Sequence, residues 1–169
     1  MKTRSLILAA LFAVLTAVGS MIRIPTPGSS FTLQLFFCAM SGLLLGSRWG
    51  AVSQAVYLLL GLAGLPVFSS GGGLGAFLTP TGGFLLALVP VAWVIGKTGE
   101  RPFRAGLAGL LTLYVIGLPY FHLITTCYLH TPWNLGKTLL YGMVIFLPWD
   151  ILKLALAAWL CRKIRPRIL

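Results

Sequence analysis

Six apolar runs, separated by short breaks of glycine, proline and basic residues, make up nearly all of this sequence. That pattern leaves few folds open. A helix that crosses a bilayer needs about 20 apolar residues, and breakers in quick succession end a helix. The runs predict helices over residues 4–21, 33–45, 51–62, 84–95, 105–128 and 141–161. The breaks are IPTPGSS from Ile24, the tight turn GSRWG from Gly46, a glycine-rich stretch over 65–83, KTGERPFR from Lys97 and HTPWNLGK from His130. Pro119 predicts a kink in the fifth helix. The first run has the basic start, apolar middle and small residues (Ala17, Gly19) of a secretory signal, and is read here as the first helix. Of the 169 residues, 58% are hydrophobic and 9% charged; a soluble domain carries about 25% charge. The expected fold is an all-α integral membrane protein. Six transmembrane helices would form one compact membrane domain over residues 1–169, with no soluble catalytic domain.

Charge supplies the orientation. The net charge of +11 is not gathered in one patch, so a nucleic-acid partner is rejected. With six spans, one side collects Lys2, Arg4, Arg48, Lys97, Arg101, Arg104, Arg162, Lys163, Arg165 and Arg167. The other side has Arg23 and Lys137, and Lys153 falls inside the membrane. Cytoplasmic loops collect Lys and Arg, so both termini are expected in the cytoplasm.

Asp150 and Lys153 stand out against this background. Asp150 is one of only two acidic residues. A charge at mid-bilayer costs at least ~2.5–3.5 kcal/mol and usually marks function. Residues three apart share a helix face, so this pair must face a bundle or cavity. Three uses fit: an internal ion pair that pins the last helix, a grip on a polar ligand inside the membrane, or a proton relay. The relay is disfavoured because no chain of further acids or buried histidines accompanies the pair.

Other features are weaker. The run GGGLG from Gly71 and the stretch TPTGG from Thr79 let backbone approach a ligand closely. Gly72, Gly73 and Gly75 are therefore candidate ligand-lining positions. Thr81 is a candidate as ligand contact or helix cap, and Gln34 either caps its helix or reaches the ligand. Ala9, Ala13 and Ala17, spaced by four, form a small-residue row. It serves either packing within the chain or docking of another membrane protein. Cys38, Cys127 and Cys161 have no metal-ligand spacing and read as packing residues. His122 and His130 lack carboxylate partners nearby in sequence. No nucleophile–base pair is visible, so neither an enzyme nor a metal or cofactor is expected.

Taken together, the motifs resemble a known family. FTLQ from Phe31, GLLLGSR from Gly42, YLLLGLAGLPVF from Tyr57, GGGLG from Gly71, PTGG from Pro80 and FLPWDILK from Phe146 follow one another as in the BioY family. Those proteins are the biotin-specific S components of energy-coupling-factor (ECF) transporters. The chain departs from the pattern at Trp149, where a small residue is usual, and at Ser30 and Phe31. The resemblance implies six helices and biotin capture on the outer face of a bacterial cytoplasmic membrane. It implies a ligand site that includes Asp150 and Lys153, to which Gln34, Tyr57, Thr81 and the glycines are added. It also implies a transmembrane T protein and two ATPases as partners, with docking through Ala9, Ala13 and Ala17. Self-association is left open. Two alternatives stand beside it: an S component for another vitamin, and a membrane scaffold whose Asp–Lys pair is internal glue.

Overall fold

A computed structural model of the chain describes residues 2–26, 29–130 and 133–168. Helix α1 is Lys2–Met21. It leads into an antiparallel ribbon of β1 (Arg23–Thr26) and β2 (Ser29–Thr32), in which Arg23 faces Thr32 and Thr26 faces Ser29. The sequence pattern predicts no strand here, because prolines and glycine interrupt a run only four residues long on each side. Next come α2 (Gln34–Leu62), a 3-10 turn (Leu74–Leu78) and α3 (Gly82–Lys97). Helix α4 (Pro102–Leu123) runs past Pro119 and loosens into a π-helical turn, Ile124–Tyr128. A short α5 (Leu135–Leu139) and a second π turn (Leu140–Val144) precede α6 (Leu147–Ile168). The last helical region thus starts earlier than residue 141, and its first turns are not regular α-helix.

Helix α2 is a hairpin, not a rod. Gly46 takes φ 77° and ψ 179°, a left-handed conformation that glycine adopts without steric cost. A Cβ on Gly50 would lie 2.8 Å from the Cα of Gly42, whereas eight residues of straight helix span about 12 Å. The Gln54 amide reaches Ser41 Oγ at 3.3 Å. Two arms, residues 34–45 and 47–62, therefore run back to back. The five-residue turn expected at 46–50 shrinks to one glycine, and the second arm begins at once.

The hairpin packs on α1, α3 and α6, and α4 packs on α3 and α6. Tyr57, Val91, Ala92, Ile95, Ala105 and Ala157 are fully buried where these helices meet. Leu6, Ile7, Leu11, Val14, Leu111, Val115, Leu152 and Leu156 point outward, the arrangement that lipid allows and water does not. Among the described residues, Thr3–Met21, Gln34–Leu62, Pro102–Tyr128 and Leu135–Ile164 have the length and apolar composition of membrane spans, the length of Gln34–Leu62 being divided between the two arms of the hairpin. Gly82–Lys97 is apolar but shorter. Backbone polar groups must be satisfied internally in lipid, which the helices that make up most of the described residues provide.

The alanine row has its place within the chain. Ala9 is 2% exposed and Ala13 1%; Ala13 belongs to the core and Ala17 packs against it. Their small size lets α1 approach its own neighbours, and the outer face of α1 is formed by leucine, isoleucine and valine. With Ala9 and Ala13 buried, these two serve packing within the chain in this structure. Ala13→Leu is expected to destabilise the fold by about 1–3 kcal/mol through overpacking, measured as a lower melting temperature in detergent. A melting temperature equal to wild type would show that the α1 interface yields to the larger side chain.

Candidate ligand-binding site

Asp150 lies in the first turn of α6, where the helix dipole favours a negative charge. Pro148 lies in the same turn, where its missing N–H costs nothing. One turn on, the Lys153 ammonium donates to Asp150 Oδ1 at 2.8 Å. The second carboxylate oxygen, Oδ2, accepts from the Tyr114 hydroxyl of α4, also at 2.8 Å. Both charged side chains are largely withdrawn from the surface, at 8% exposure for Asp150 and 13% for Lys153. Each oxygen keeps a lone pair and the ammonium keeps further N–H groups. One acceptor and one donor set are thus offered side by side to the same space.

That space is a partly open cavity of about 90 Å³, room for several water molecules. Asp150, Lys153 and Tyr114 form one polar end. Ser30, Thr32, Gln34, Ser69 and Thr81 supply polar groups elsewhere on the wall, and the remainder is apolar, with Leu35, Phe84, Leu88, Leu113 and Phe146. An apolar cavity with a few convergent polar groups is what a small-molecule site requires.

A relay of hydrogen bonds holds the polar wall. Thr32 Oγ1 donates to Gln34 Oε1 at 2.9 Å, Gln34 Nε2 to the Tyr57 hydroxyl at 2.6 Å, and that hydroxyl to the Val67 carbonyl at 3.1 Å. Gln34 does not cap its helix; its side chain turns inward to Tyr57. Tyr57 stands fully buried behind Gln34 and does not line the cavity itself. Above, the ribbon closes the site. The ring of Phe31 packs 4.5 Å from that of Phe146 and 6.0 Å from that of Trp149, and the Arg23 guanidinium donates to the Ser69 carbonyl. Trp149 is thus part of this closure.

The glycine stretch folds tightly on itself. Phe68 and Gly71 exchange backbone hydrogen bonds at 2.9 and 3.0 Å, and the Gly73 N–H donates to the Gly61 carbonyl at 2.7 Å. Gly72 presses on the Leu65 carbonyl, where a Cβ would come within 2.3 Å. Gly75 faces open space. These glycines let the loop fold tightly, and among the described residues it is Ser69 and Thr81 that the loop presents to the cavity. Thr81 sits at the N-cap of α3 without a side-chain cap bond; its hydroxyl meets that of Thr79 at 3.1 Å. His122 pairs with Thr138 Oγ1 at 2.9 Å, away from the carboxylate. No motif or spacing in the sequence singles out Tyr114, Thr32 or Ser69 as lining residues. A hydroxyl in the middle of an apolar run was the one available signal for Tyr114.

This architecture has known counterparts. The sequence profile of the BioY family matches residues 1–169. The chain belongs to the BioY family. The "Probable biotin transporter BioY" of Lysinibacillus sphaericus is 40% identical over 151 residues, covering 85% of this chain and 77% of the relative. The "Biotin transporter BioY" of Thermotoga maritima is 36% identical over 169 residues, covering 96% of each. The crystal structure of "the S-component for biotin from an ECF-type ABC transporter" superposes with a TM-score of 0.82 at 26% identity, covering 98% of this chain and 92% of that one. BioY proteins are membrane transport proteins and not enzymes. The BioY likeness spans every element that lines the cavity, from the ribbon to α6.

Proposed function

We propose that this chain is the substrate-specificity subunit of a biotin uptake system, and that biotin is captured in the cavity between the ribbon, α2, α4 and α6. The observation that carries the reading is the carboxylate–ammonium–phenol cluster of Asp150, Lys153 and Tyr114 at one end of a cavity whose remaining wall is apolar apart from a few neutral polar side chains. Biotin has a ureido ring with two N–H donors and a carbonyl, an apolar thioether ring and a carboxylate tail. Asp150 and Lys153 bond to each other at 2.8 Å, so they act on one end of the ligand as a unit. Because Asp150 already neutralises Lys153, the pair suits the neutral ureido group, with Asp150 accepting from an N–H and Lys153 donating to the carbonyl. The carboxylate then turns toward Ser30, Thr32, Ser69 and Thr81.

The same reading carries the membrane arrangement. The two arms of α2 count as separate spans, giving six with α1, α3, α4 and α6, and both termini face the cytoplasm. The cavity opens outward, in the cytoplasmic membrane of a bacterium. The ribbon and the 65–83 loop close over the ligand. No ATPase motif occurs in the sequence, so a T protein and two ATPases supply the energy. Likeness to an S component of an ECF-type transporter supports that assignment.

Calorimetric titration of the detergent-solubilised protein with biotin, followed by competition with other vitamins, tests the reading. Biotin is expected to bind and to be displaced by its analogues only. Binding of a different vitamin in preference to biotin would reassign the substrate, and binding of none would leave a scaffold.

A further inference from the structure

The α3–α4 connection holds a second concavity, at the end of the molecule where α3 finishes and α4 begins. It is a groove of about 500 Å³ lined by Lys97, Thr98, Glu100, Arg101, Arg104 and Ala108, none of which lines the ligand cavity. Three cations face one carboxylate, so the groove is net positive. The first turn of α4 adds its open amide groups, since Arg101 at the N-cap gives no side-chain cap bond; such groups favour an anion. We propose that this groove binds the phosphodiester headgroup of an anionic membrane lipid.

Charge alone would suit any anion. What selects an amphiphile is the apolar surface at the same rim. The Lys97 ammonium sits 4.8 Å from the centroid of the Trp93 ring, and Trp93 is 46% exposed. On α6 Lys163 covers Trp159 in the same way, at 5.3 Å. Tryptophan with a lysine one turn beyond it marks the headgroup level of a bilayer, where ring and ammonium each meet their preferred surroundings. Phe103 and Leu107 are exposed beside Arg104, and Leu107 follows Arg104 by three residues, on the same face of α4. A ligand held at the groove by its phosphate therefore has an apolar track along α4 for an acyl chain. A free phosphate ion has no use for that track. Basic pockets between membrane helices bind anionic headgroups through this combination of charge and apolar flank.

The test is native mass spectrometry of the purified protein, titrated in detergent with phosphatidylglycerol, phosphatidylcholine or inorganic phosphate. Wild type is expected to retain phosphatidylglycerol in preference to phosphatidylcholine. Arg101→Gln with Arg104→Gln should weaken that binding about fivefold per cation, roughly twenty-five-fold together. Glu100→Gln should tighten it, an effect that misfolding cannot imitate. Arg162→Gln, outside the groove, should leave it unchanged. Three outcomes would overturn the proposal: equal retention by the Arg101/Arg104 variant and wild type, no gain from Glu100→Gln, or displacement of the lipid by equimolar inorganic phosphate.

Discussion

Asp150→Ala is expected to abolish biotin binding and to lower the stability of the empty protein by about 3–5 kcal/mol, the usual cost of breaking a buried ion pair from one side. The loss is large because two partners are stranded. Lys153 keeps a charge with 13% exposure, and the Tyr114 hydroxyl loses its acceptor. Lys153→Ala should do the same from the other side. Replacing both, as Asp150→Leu with Lys153→Met, removes the charges together and is expected to restore most of the stability, since an apolar pair of similar volume often replaces a buried ion pair at no cost. It should not restore biotin binding. Tyr114→Phe keeps the ion pair but removes one hydrogen bond to a charged acceptor, worth about 1.5–3 kcal/mol, and should weaken biotin about tenfold. Thermal melting with and without biotin reads both quantities at once. Ligand at a hundredfold excess over Kd stabilises a competent site by about 2.7 kcal/mol. A double variant that biotin stabilises as well as it does wild type would make the pair internal glue and move the ligand elsewhere.

Gly96→Ala is expected to be the most damaging single methyl that can be added at the end of α3. Alanine favours a helix over glycine by about 1 kcal/mol, so propensity alone predicts a gain. Packing predicts the reverse. A Cβ at Gly96 would come within 2.2 Å of the Ser47 nitrogen and 2.4 Å of the Gly46 carbonyl carbon. Both are backbone atoms of the α2 reversal and cannot rotate aside. Helix α3 must then separate from the hairpin, and overpacking costs about 1–3 kcal/mol or more. Gly99→Ala is the control, since its nearest contact lies at 3.4 Å. Melting temperatures should fall sharply for the first and stay near wild type for the second. Equal behaviour of the two would show that the reversal yields easily.

The apolar runs and the Asp150–Lys153 face were legible because both are local: a run is read along the chain, and three residues of helix place two side chains together. Tyr114 was not, since it meets Asp150 across 36 residues and nothing in a run of leucines and glycines tells which side chain turns inward. The glycines are harder to place, for the opposite reason. Their pattern says that backbone comes close to something, and at Gly72 and Gly73 that something is the chain's own Leu65 and Gly61. The alanine row has the same ambiguity, because small residues serve neighbours inside and outside a protein alike. The four-residue strands between α1 and α2 were too short and too rich in proline to show an alternating pattern.

The reversal at Gly46 also fixes what the chain can tolerate in length. Gln34 meets Tyr57 and Ser41 meets Gln54 across it, so the two arms are held in one rotational phase. One inserted residue would turn an arm by about 100° and carry Gln54 and Tyr57 away from their partners together. Ordinary connections absorb such changes at the surface. Here there is no slack to absorb them, so variation in length among related chains belongs in the other connections and not at this bend.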